Sequence, residues 1–153
     1  MELSDWFKGF EKGIAQLSPE QREVFFGECG KNCVKYGTLQ ICKELYESTQ
    51  GDLDNFFLKT NELPGVRCEI VKKGFTYHLY FMECTCELCR KGYVFTPLLC
   101  ECSRQSILYV LQSLWKDRVF CVTLCNSILQ GNQDCKMKIE IESNAETHKV
   151  QAL

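Results

Sequence analysis

Long apolar runs are missing from this chain of 153 residues, and no segment approaches the ~18 consecutive apolar residues of a membrane span. Basic clusters are missing too. The formal net charge is −2, and without a basic patch there is no electrostatic reason to expect nucleic acid. The opening "MELSDWFKGFEKG" carries charges where a secretion signal would place its apolar segment, so a cytoplasmic protein is expected. There are only two histidines, His78 and His148. No phosphate-cradling glycine loop, nucleophile elbow or HExxH pattern is found, and no repeat or low-complexity stretch interrupts the chain. A Cys–His dyad would have to use His78, which lies mid-strand among aromatics, and nothing in the sequence brings a thiol to it.

What the chain has in excess is cysteine, with twelve residues. A reduced compartment favours metal binding, reactive thiols or buried packing over disulfides. Five lie in "ECTCELCRKGYVFTPLLCECS": Cys84, Cys86, Cys89, Cys100 and Cys102. Cys86-x-x-Cys89 has knuckle spacing, and Cys84, Cys86, Cys100 and Cys102 could supply four thiolates to a tetrahedral zinc ion, with Cys89 as an alternative. Cys29 and Cys33 are one helical turn apart and could chelate or approach that group. Free cysteine also packs as a small hydrophobe, and Cys42, Cys68, Cys121 and Cys125 sit in apolar patterns that suit this role.

Periodicity predicts an α+β domain: an antiparallel sheet covered on one face by helices, with a helical N-terminal half. Residues 1–143 form the expected domain, with a polar tail over 144–153. Ser18, Pro19 and Gln21 mark a helix start. "TLQICKELYES" resumes the helix, and "DLDNFFLKTNEL" buries Leu53, Phe56 and Phe57. "VRCEIVKKGFTYHLYFME" reads as two strands turned at Lys73-Gly74. A helix capped by Ser103 carries Ile107, Val110, Leu111, Leu114 and Trp115 on one face. "RVFCVTLCNSIL" is apolar on both faces, as a central strand would be, and "CKMKIEIE" alternates cleanly. Aromatic residues gather around the sheet. Tyr77, Phe81, Tyr93 and Tyr109 are candidates for lining an apolar ligand pocket, although such a stripe also serves as plain core.

"ECGKNC", "CTC…LCECS" and "VFCVTLCNSILQGNQDCKMKIEI" together resemble small bacterial proteins related to the 4-vinyl-reductase, or hydrocarbon-binding, domain. The closing hairpin is also similar to L-2-amino-thiazoline-4-carboxylic acid hydrolase-like proteins. The likeness spans residues 20 to 142 and rests on Cys29, Cys33, Cys84, Cys86, Cys100, Cys102, Ser103, Gly131 and Cys135. It implies a mixed domain that often dimerises and holds a hydrophobic or aromatic small molecule. In phenol-sensing relatives, cysteines and an acidic residue near this hairpin bind zinc. Gly131-x3-Cys135 matches that pattern, whereas Ser127 replaces the expected cysteine and the acidic position falls on Leu124 or Asn126. Arg104-Gln105 replaces the Gly-Trp expected after the CxCS segment.

The leading expectation is therefore a non-enzymatic small-molecule-binding or sensor domain with an apolar ligand and a homodimeric state, in which Cys84, Cys86, Cys100 and Cys102 either bind zinc, the one cofactor considered, or line the pocket. A thiol- or metal-dependent hydrolase is the alternative from another class. An interaction module whose cysteines only pack is the third. Whether the protein is an enzyme stays open.

Overall fold

The computed structural model describes residues 1–142. The expected tail over 144–153, with His148, lies outside the described residues. Six helices and four strands follow in the order α1 (Leu3–Gln16), α2 (Pro19–Val34), α3 (Thr38–Ser48), α4 (Leu53–Lys59), β1 (Val66–Lys72), β2 (Thr76–Phe81), α5 (Glu87–Arg90), α6 (Cys100–Leu114), β3 (Phe120–Asn126) and β4 (Cys135–Ile141). The strands form one antiparallel sheet in the order β1-β2-β4-β3. The architecture is α+β with a mostly helical N-terminal half.

Local signals explain most boundaries. Ser18 and Gln21 close a reciprocal capping box at the start of α2, with Pro19 in the first turn. Asp52 caps α4 by accepting from the Asn55 N–H. Gly74, with φ of 76°, turns β1 into β2. The Asp54 carboxylate on α4 accepts the Gly74 N–H at 2.9 Å and the Tyr77 hydroxyl at 2.6 Å, fastening that hairpin to the helical layer.

The main core lies where α4 and α6 meet the sheet. Leu53, Phe56 and Phe57 are buried as expected, and the Phe57 ring stacks on Tyr77 with centroids 4.0 Å apart. Val110, Leu111 and Trp115 carry the buried stripe of α6. The Trp115 indole N–H donates to the Gly51 carbonyl at 3.0 Å. In β4, Met137, Ile139 and Ile141 turn inward, and Lys138 and Glu140 turn outward.

Three local expectations need correction. Residues 3–16, with no helix expected there, form α1, because Phe7, Phe10 and Ile14 recur at helical spacing and pack around Phe26 and Val94. Ser103 lies inside α6 and does not cap it; Thr96 caps the 3₁₀ turn that leads into the helix. The strand expected to be central, β3, lies at an edge of the sheet, because β4 inserts between β3 and β2. Cys121 and Cys125 do not pack in the core as expected: Cys121 alternates with the buried Phe120 and Val122, Cys125 shares its face, and both are exposed.

Candidate functional site

All twelve cysteines are free thiols, and they divide by surroundings. Cys42 and Cys68 belong to the apolar core, where burial pushes each thiol up to about 11. Eight others lie on five segments and influence one another. The connection after β2 carries Cys84 and Cys86, and α5 carries Cys89. The first turn of α6 carries Cys100 and Cys102. Cys135 opens β4, and Cys29 and Cys33 lie on α2.

Cys84, Cys89, Cys100 and Cys135 form the tighter group. The Cys84 and Cys89 thiols are neighbours that act on each other. Burial, the neighbouring Cys84 thiol and the charges of Cys84, Cys86 and Cys100 push Cys89 up to about 11. Burial raises Cys100, the Ser127 side chain partly offsets it, and the charges of Cys135, Cys84 and Cys86 add to the rise. Burial also raises Cys135. The Ile128 N–H opposes this by donating to its Sγ at 3.3 Å, while the Cys84 and Asp134 charges reinforce it. Strand register explains the meeting: Cys135 pairs with Phe81, the last residue of β2 and three before Cys84.

Cys102 belongs elsewhere. Burial comes first in pushing it up to about 12, followed by the charges of Cys33, Cys29 and Cys86. The structure thus divides the four thiols suggested by spacing. Cys84 and Cys100 join Cys89 and Cys135, Cys102 turns toward α2, and Cys86 lies between the groups. Cys135 is missing from that spacing set; its signal is the Gly131-x3-Cys135 pattern. Ser127 was legible only as a departure from a cysteine, yet it is fully buried and its side chain caps the turn before β4 by accepting the Gln130 N–H.

The donor chemistry of the tighter group fits a soft divalent ion. Four sulfurs can be recruited, and Cys135 already accepts a hydrogen bond, from the Ile128 N–H, that favours the thiolate. Among the described residues, no group of three or more His, Cys, Asp or Glu side chains is arranged to hold a metal ion. Without a cation the raised thiols of Cys89, Cys100 and Cys135 are protonated at neutral pH and are weak nucleophiles. His78 offers no base to them. It lies on the outward face of β2, paired with Glu69 and Lys138 in the sheet, and its Nδ1 is 3.8 Å from the Glu69 carboxylate.

The four aromatic candidates are spread over three apolar clusters. Tyr77 is fully buried in the main core and Phe81 packs against it. Tyr93 stacks on Phe7 at 5.2 Å beside α1, and Tyr109 packs near Val34 and Val110. An open groove of about 430 Å³ lies between α3 and α4. Its lining of Ser48, Thr49, Gln50, Asn55, Leu58, Lys59 and Glu62 is largely polar and includes none of the four. No helix among the described residues is long and apolar enough to cross a membrane.

No family model matches the chain, and no curated protein sequence matches it. Among solved structures it is similar to a trafficking protein particle complex subunit 3 from Naegleria fowleri covalently bound to palmitic acid. That overlap covers 92% of this chain and 93% of the other, at 8% identity and a TM-score of 0.44. The likeness is loose, and the palmitate is a property of that protein.

Proposed function

We propose that the protein is a non-enzymatic sensor or binding domain whose cysteine cluster holds zinc, with Cys84, Cys89, Cys100 and Cys135 as its ligands. The observation that carries this reading is the convergence of those thiols from four separate segments. Simple packing does not require a hydrogen-bond donor at sulfur, and Cys135 has one in the Ile128 N–H. Zinc would lower the thiol pKa values and release protons on binding, so its hold would weaken in acid. Twelve free thiols suit a reducing compartment such as the cytoplasm. The raised thiols and the distant histidine disfavour the hydrolase alternative.

The test is zinc content after purification without chelator under anaerobic conditions. One zinc per chain, lost in Cys84→Ser with Cys89→Ser while Cys121→Ser retains it, supports the assignment. A metal-free chain, or zinc that survives the double substitution, removes it.

An apolar small molecule remains the second reading, and one observation favours a place for it. Trp6 stays 54% exposed while stacked on Phe10 at 6.2 Å, and Phe10 meets Phe25 at 6.1 Å. Half-exposed rings suit an apolar ligand better than water. Titration with an aromatic fluorophore should give saturable binding that Trp6→Ala weakens. Binding unchanged by that substitution excludes this surface.

A further inference from the structure

The second apolar cluster is closed by a helix whose own sequence holds it weakly. Ile14 of α1 is buried with Phe26, Val94 and Leu99, Phe7 and Phe10 pack beside it, and Cys86, Cys89 and Cys102 belong to the same cluster. Ile14 is the one buried residue of α1. Two interior positions of the helix are glycine. A Cβ at Gly9 or Gly13 would meet nothing within 4 Å, so packing does not require them, and each weakens the helix relative to alanine. No side chain caps the N-terminus of α1, and Leu3 and Trp6 are about half exposed. A helix of 14 residues is marginal in water without tertiary support.

The polar ties of α1 lie toward its C-terminal end. The Glu11 carboxylate accepts the Phe95 and Thr96 N–H groups at 2.6 and 2.8 Å. Arg22 on α2 donates to the Leu17 carbonyl at 2.6 Å and the Ile14 carbonyl at 3.3 Å. Leu17 itself is extended and joins α1 to the capped start of α2. Toward the N-terminus the contacts are aromatic, Phe7 on Tyr93 and Phe10 against Phe25.

We infer that α1 is a hinged cover, opening about Leu17 and melting as it leaves, and that this opening governs how fast solutes reach Cys86, Cys89 and Cys102. The three thiols are partly buried with α1 in place. Withdrawing Phe7, Phe10 and Ile14 uncovers the cluster to which they belong. The cover is independent of the zinc reading, since it needs only that α1 opens locally while the sheet core stays closed.

The test is pulsed alkylation of the chelator-treated full chain with N-ethylmaleimide, read for each cysteine by mass spectrometry, with amide hydrogen exchange on the same samples. Amides of α1 should exchange faster than those of α6 and β4 by about a hundredfold or more. Gly9→Ala with Gly13→Ala should slow labelling of Cys86, Cys89 and Cys102 by about tenfold. Glu11→Ala should speed it by about tenfold, with exchange in α1 moving in the same direction. Exposed Cys121 and Cys125 should label at unchanged rates, and Cys42 and Cys68 should stay protected in every variant. Amides of α1 as protected as those of α6 would overturn the inference. So would labelling of Cys86, Cys89 and Cys102 that ignores both sets of substitutions, or that changes only in step with Cys42 and Cys68, because the opening would then be global.

Discussion

The sheet core and the thiol-rich end use the same residue type in opposite ways. Cys42 and Cys68 belong to one cluster of leucine, aromatic and β-branched side chains, and no other thiol shifts either of them. Cys84, Cys89, Cys100 and Cys135 act on one another across segment boundaries, with a backbone donor at the Cys135 sulfur. Burial raises thiol pKa values in both regions. What differs is whether thiols converge. Burial by itself leaves an inert hydrophobe, whereas convergence adds mutual repulsion between thiolates that a cation would relieve.

The sharpest way to break that comparison is to damage the core and watch the other end. Phe57 is fully buried and stacked on Tyr77, so Phe57→Ala should cost about 3–5 kcal/mol in urea unfolding. Zinc stoichiometry at low denaturant should survive it. A loss of under about 1 kcal/mol would mean the ring is not the packing element described here.

Gly30→Ala comes next. Alanine ordinarily favours a helix over glycine by about 1 kcal/mol, but here the added methyl meets the backbone nitrogen of Ser106 at 2.9 Å. Overpacking should win, at a net cost of about 1–3 kcal/mol. A stabilised variant would show that α2 and α6 are not in backbone contact.

Alkaline pH provides a milder probe of the core thiols. Burial raises Cys42 and Cys68 from the ordinary 9.0 to about 11 in the folded chain. The unfolded chain therefore loses these protons first, so stability is fully present below pH 9.0 and declines as pH rises through about 11. Urea midpoints measured across that window should fall less steeply in Cys42→Ala with Cys68→Ala than in the wild type. Parallel curves would mean those thiols are not buried in the folded state.

The fold was largely legible in the sequence because its signals are local. The Ser18–Gln21 capping box, the hairpin at Gly74 and the alternation of Met137, Ile139 and Ile141 each depend on neighbours within a few residues. What escaped depends on distant pairing. The edge position of β3 follows from β4 inserting beside β2, and the same pairing brings Cys135 to Cys84. Spacing grouped Cys102 with Cys100, yet α6 turns their side chains about 200° apart, one to each thiol group. The helix α1 was obscured by charges between its aromatic residues, and its anchors are remote: Glu11 accepts the backbone N–H groups of Phe95 and Thr96 at 2.6 and 2.8 Å.

The most direct test of the central claim is residue-resolved thiol alkylation, read by mass spectrometry on zinc-loaded and chelator-treated chain. The account predicts that zinc protects Cys84, Cys89, Cys100 and Cys135 and that chelation releases them together. Exposed Cys121 and Cys125 should label in both states, and Cys42 and Cys68 only on unfolding. Equal labelling of Cys84, Cys89, Cys100 and Cys135 with and without zinc would contradict the account and leave those thiols as packing.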